Sequence, residues 1–152
     1  MTLHVGLIKT EEEKISSQKA NKFIHSKKNG AESIFVGRVR NENSGKKVEA
    51  ITYDAHDQAV IKSFRSICND AKVKFDKNAM IFIEHAKGYV PVGEISILIA
   101  VGAEHRDEAF KICRYILEEI KHQSPIWKKE HYTEGSEEWL PGHSLRPKQN
   151  IK

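Results

Sequence analysis

The chain predicts an α+β fold, a mixed and mostly antiparallel sheet with helices packed on one side of it. Three observations carry that expectation. Short apolar or alternating runs of strand length recur along the chain, several segments place apolar residues at the 3.6-residue helical period, and Gly, Pro and Asn clusters fall between them. The predicted order is β-α-β-β-α-β-β-α, with no internal repeat.

Residues 2–8 alternate apolar and polar side chains and predict a first strand. Thr10 and Glu13 have capping-box spacing, so a helix is expected from there through Ile15, Ala20, Phe23 and Ile24, ending before Gly30. AESIFVGRV at residues 31–39 reads as a strand, with Gly37 inside it where another chain segment comes close. The turn-rich NENSGKK at 41–47 leads to a strand at 48–53, and the two strands are expected to pair as a hairpin around a long, mobile loop. Residues 58–75 predict a helix that buries Val60, Ile61, Phe64, Ile67, Cys68 and Ala71. Residues 80–84 and 95–101 are apolar strands, and KGYVPVGE between them reads as a turn. Residues 105–120 form the third helix, with Ala109, Phe110, Cys113, Ile116, Leu117 and Ile120 on one face. A loop-rich segment follows, in which EEWL adds a short edge strand. The domain boundaries are 1–141 for a single domain and 142–152 for a flexible C-terminal tail rich in polar residues, Gly and Pro.

With 39% apolar and 30% charged residues, a chain of 152 residues buries a core without disulfides or metal. No apolar run approaches a membrane span, and MTLHVGLIKTEEEK lacks the apolar stretch of a signal peptide, so the expected location is cytoplasmic with no membrane partner. The net charge is +4, and towards the C-terminus Lys121, Lys128, Lys129, Arg146, Lys148 and Lys152 bracket Glu130, Glu134, Glu137 and Glu138. That distribution suits a local anion site better than a nucleic-acid stripe. Cys68 and Cys113 fall within helical apolar patterns and have neither a CxxC partner nor ligand spacing. No metal or other cofactor is expected.

The richest segment is KHQSPIWKKE at 121–130. Lys121 falls at the edge of the third helix's apolar stripe, where partial desolvation would lower an amine's pKa towards acid–base use. Pro125 turns the chain, and Trp127 offers an anchor that would place Lys128 in the same cleft. A solvated lysine run at a helix C-terminus explains the segment in isolation. Other residues weigh against that. Arg38 and Arg40 share a strand face, and a planar guanidinium suits phosphate or carboxylate. GAEHR at 102–106 joins a buried strand to a helix start, where backbone N–H groups favour anions.

FVGRVRN at 35–41, the HxxGxxxxGE spacing from His85 to Glu94, AEHR at 103–106 and KxxxPxWKKE at 121–130 together resemble the large, catalytic subunit of molybdopterin synthase. The resemblance spans about residues 30–141. It implies an α/β-hammerhead-like fold. It also implies a homodimer in which each subunit binds a small ubiquitin-like sulfur-carrier subunit, giving a heterotetramer. The thiocarboxylated C-terminus of the carrier would deliver sulfur to cyclic pyranopterin monophosphate, a small pterin phosphate, to form the dithiolene of molybdopterin. On the same resemblance Lys121 and Lys128 are catalytic, and together with Arg40, His105 and Arg106 they bind substrate, with His105 and Arg106 facing the neighbouring subunit's site. The family's usual aromatic and methionine after the second strand are replaced by DAHDQA at 54–59. Two alternatives are a basic nucleic-acid-binding α+β module, which lacks the exposed aromatics it needs, and a non-catalytic carrier-binding scaffold, which has no use for both lysines.

Overall fold

Twelve consecutive residues, Met80–Pro91, form one strand that touches three others. In this computed structural model, which describes residues 1–135 and 137–139, the elements in chain order are β1 (Leu3–Lys9), α1 (Ser17–Ile24), β2 (Ala31–Arg38), β3 (Glu42–Asn43), β4 (Lys46–Ala55), α2 (Asp57–Lys74), β5 (Met80–Pro91), β6 (Ile95–Ala103), α3 (Arg106–Gln123), β7 (Ile126–Tyr132) and β8 (Glu137–Trp139). The tail expected to be flexible, 142–152, lies outside the described residues. The sheet runs β2-β6-β5-β4-β7-β8, with β1 parallel to β5 and the other described pairs antiparallel. The α+β class and the mostly antiparallel sheet are as predicted.

β5 is long because its partner changes along its length. Its first half pairs with β6 and β1, and from Gly88 to Pro91 it pairs with β4. Gly88 sits at the changeover with φ +118, a conformation closed to most side chains, and a Cβ there would collide with Thr10. The predicted KGYVPVGE turn is therefore mostly strand. The reversal is confined to a tight turn in which Glu94 N–H donates to the Pro91 carbonyl at 3.1 Å and Gly93 takes φ +88.

Several other expectations are corrected. Thr10 and Glu13 belong to a turn, with the Glu12 and Glu13 amides both bonded to the Lys9 carbonyl, and α1 is capped by Ser16, whose Oγ accepts from Lys19 N–H at 3.3 Å. β2 does not pair with β4. β2 pairs with β6, while β3 and β4 form a tight hairpin whose Ser44 and Gly45 both have positive φ, 50 and 80. The segment after α3, read as loop, is the strand β7. Phe110 is 65% exposed, and the buried stripe of α3 is Ala109, Ile112, Cys113, Ile116 and Ile120. The atypical DAHDQA segment ends β4 and starts α2, with His56 Nδ1 accepting from Ala59 N–H at 3.2 Å.

Helices cover both faces rather than one. Phe23 of α1 packs on Phe82, with His4 stacked on the same ring, and buried Glu84 two residues on accepts from Lys19 at 3.1 Å and lies 2.9 Å from His4. α3 lies against the opposite face of β2 and β6, where Cys113 meets Ser33 and the Ile99 carbonyl, and it packs on α2. Phe64, Ile67, Ile112, Ile116 and Ile120 fill that side of the core.

Gly102 of β6 lies under the C-terminal end of α1. A Cβ there would stand 2.7 Å from the Ile24 carbonyl oxygen and 2.6 Å from Asn29 Nδ2, backbone and a bonded amide that have little room to move. Gly102→Ala is expected to cost about 1–3 kcal/mol, read as a lower urea midpoint with an unchanged slope; an unchanged midpoint would mean that α1 tolerates displacement.

A cationic recess between β2, β4 and β7 as candidate active site

β7 supplies the inward-facing residues of the site by simple alternation. Ile126, Lys128, Glu130 and Tyr132 share one face, and Ile126, Glu130 and Tyr132 are buried there. Pairing with β4 sets Lys128 opposite Tyr53 and Glu130 opposite Ile51. Trp127, on the other face, is therefore not the anchor of Lys128; the β4–β7 ladder is.

Lys121 enters from a different direction, on the last turn of α3. That helix ends as Pro125 predicts, at Gln123, and the corner is pinned by buried Ser124, whose Oγ lies 2.9 Å from Ser63 Oγ on α2. The end of β2 contributes Arg38 and the residue pair beyond it contributes Arg40. These four cations line one recess of about 500 Å³ together with Glu42, Asn43, Tyr53, His85, Glu130 and an apolar floor that includes Phe35, Ile51 and Ile97. A neighbouring hollow of about 220 Å³ beside Lys14 and Glu94 is bridged by their 2.6 Å ion pair and gathers fewer cations.

The recess is positive and partly dry. Glu130 is held by Asn43 Nδ2, 3.0 Å from each carboxylate oxygen, and by Tyr132 O–H at 3.0 Å. Arg38 Nη1 donates to the Gly93 carbonyl at 2.7 Å. Burial holds the Lys128 ammonium below its ordinary pKa of 10.5; Glu130 opposes this, and the charges of Lys121 and Arg40 add to it. Lys128 is thus a partly desolvated amine within the recess. Burial likewise raises the Tyr53 phenol, against a bond with Ser96 that lowers it.

Arg40, Lys121 and Lys128, picked out from sequence, are brought together. His105 and Arg106 are not. His105 is the N-cap residue of α3, an exposed imidazole 3.2 Å from Glu104, and neither residue lines the recess of its own chain. Tyr53, His85 and Glu130 were not singled out as site residues. Reading β7 as a strand would have put Glu130 beside Lys128. Cys68 is buried with its thiol pushed up to about 12, and Cys113 is also raised by burial, so neither is a thiolate at neutral pH.

Comparison with known proteins places the chain in one family. The family model described as MoaE protein matches residues 10–123. The catalytic subunit of molybdopterin synthase from Synechococcus elongatus is 43% identical over 126 residues, covering 83% of this chain and 76% of its own. The corresponding Pyrococcus abyssi subunit is 40% identical and covers 91% of both chains. The crystal structure of molybdopterin synthase from Staphylococcus aureus superposes with a TM-score of 0.82 at 28% identity, covering 93% of this chain and 98% of that one.

The depressed Lys128 pKa has a stability consequence. Between the folded pKa and 10.5 the unfolded chain binds more protons than the folded one, so stability gains as pH rises through that window, while at neutral pH the cost of the buried charge is fully present. Lys128→Met is expected to raise Tm at neutral pH by an amount that shrinks as pH approaches 10.5. A Tm gain independent of pH would show that packing, not charge, is responsible.

Proposed function

The chain belongs to the MoaE family of molybdopterin synthase catalytic subunits, and from that premise we propose that the Arg40–Lys121–Lys128 recess is where sulfur passes from a carrier's thiocarboxylate to cyclic pyranopterin monophosphate. The single observation that carries this placement is the convergence of four cations from β2, α3 and β7 on one partly apolar cavity. A thiocarboxylate and a cyclic phosphate are both anions, and a fixed array of cations concentrates them and offsets charge developing during transfer. The apolar floor suits a flat heterocycle.

The lysines divide the work. Lys121 supplies positive charge beside the thiocarboxylate carbonyl. Lys128, whose ammonium gives up its proton more readily than an exposed one, donates that proton and takes one back as sulfur transfers. Sulfur arrives on the small ubiquitin-like carrier subunit, so the two buried, protonated thiols have no part in the reaction. His105 and Arg106, exposed at the start of α3, complete the recess of a second copy in a homodimer, which with two carriers makes a heterotetramer. No helix among the described residues is long and apolar enough to cross a membrane, and the proposed location is the cytoplasm.

Lys121→Ala is expected to lower the sulfur-transfer rate by about 10²-fold or more with carrier affinity nearly unchanged. Lys128→Arg keeps the charge and cannot release a proton, so it should lose most of the rate and retain pterin affinity; full activity would remove the proton-transfer role. Sedimentation should show a dimer at micromolar concentration, and a stable monomer would count against sites shared between subunits.

A further inference from the structure

His85 is the one buried polar side chain among the described residues with an unpaired atom. It is 1% exposed, its Nδ1 lies 2.7 Å from the Ala86 carbonyl oxygen, and its Nε2 has no partner. A carbonyl only accepts, so Nδ1 carries the proton and Nε2 presents a lone pair. Buried lone pairs are nearly always satisfied, so an orphan on a residue lining a cavity calls for a donor that comes from outside. The imidazole sits beside the floor of the recess, across the ladder from Ile97, with the Tyr53 ring packed edge-on at 5.0 Å.

The other polar groups of the recess narrow the choice of donor. Arg38, Arg40, Lys121 and Lys128 are donors and serve the anionic groups. Glu130 already accepts from Asn43 and Tyr132. Among the buried side-chain polar atoms of the described residues, His85 Nε2 is the one left without a partner, and it is an acceptor suited to the N–H groups that a pterin ring carries. We propose that His85 determines specificity for the heterocycle, its Nε2 accepting a hydrogen bond from a ring N–H of the bound pterin once the Tyr53 ring rotates aside. This rests on the site placement above. Burial lowers the imidazole pKa to about 4, against the Ala86 bond that raises it, so the lone pair is available throughout the neutral range.

Two variants and one spectroscopic measurement on the carrier-bound complex test this. His85→Leu removes the acceptor and should raise KM for the cyclic pterin about 10-fold or more with kcat and carrier affinity little changed. His85→Gln places a carbonyl oxygen near the position of Nε2 and should recover most of that loss, which a merely structural role would not do. In the wild type the ¹⁵N resonance of His85 Nε2 should begin as that of an unbonded lone-pair nitrogen and move upfield on saturation with pterin. Equal KM values for Leu and wild type, or an Nε2 resonance that does not move when pterin binds, overturns the assignment of His85 alone. If His85→Leu does not fold, the wild-type resonance decides. Failure of the pterin to bind, or a sulfur-transfer rate that neither Lys121→Ala nor Lys128→Arg lowers, overturns the placement of the site and His85 with it.

Discussion

The pairing of β7 with β4 is the constraint on which the recess depends. Because side chains alternate along a strand, a slip of one residue would turn Lys128 and Glu130 outward and bring Trp127 and Lys129 in. Ile126 and Tyr132 prevent it. Both are buried on the Lys128 face, and exposing them would cost on the order of 1.5–3 kcal/mol each. The charged positions of β7 are thus held in register by the apolar ones between which they sit. A loop carrying the same lysines would have no such lock.

The same ladder explains how so much positive charge is tolerated in one place. Arg38, Arg40, Lys121 and Lys128 face only Glu42 and Glu130 as carboxylates in the recess, and Glu130 is largely committed to Asn43 and Tyr132. Lys128 is held below its ordinary pKa by burial first, and the charges of Lys121 and Arg40 add to that against Glu130. On the proposed placement of the reaction, an anion entering the recess offsets those positive charges, so binding energy is available where charge builds up during transfer rather than being distributed over the surface. The tight Ser44–Gly45 hairpin matters here, because Asn43 on β3 fixes the Glu130 carboxylate, whose charge offsets part of the cost of burying Lys128.

The helices and the fold class were legible in the sequence because their signal is local: apolar residues at helical spacing in α2 and α3, and continuous apolar runs in β5 and β6. Arg40, Lys121 and Lys128 were legible because their types and spacing carry a recognisable chemistry. β7 was not. Its inward face reads Ile, Lys, Glu, Tyr, so two of four core-facing positions are charged and the hydrophobic period vanishes. Strand partners were equally hidden, since nothing local tells β2 to choose β6 over β4. Phe110 was misplaced because it fits the helical stripe at its edge, where only the position of β2 and α2 decides which side is covered. The orphan nitrogen of His85 could not be read at all, as it depends on where the ring turns and which carbonyl it meets.

The geometry of the two lysines is set by the packing of the elements that carry them. Lys121 rides on α3 and Lys128 on β7, and only the Ser124–Pro125 corner joins them. That corner is buried and tied to α2 through Ser124 and Ser63, while Ile120 before it and Ile126 after it are both completely buried. The separation of the amines is therefore a property of how α2, α3 and β7 pack, not of side-chain reach alone. Close-packed interiors do not deform smoothly, so the cavity keeps its cations apart before any anion arrives. At the floor of that cavity the Tyr53 ring meets an imidazole that has kept one lone pair unspent.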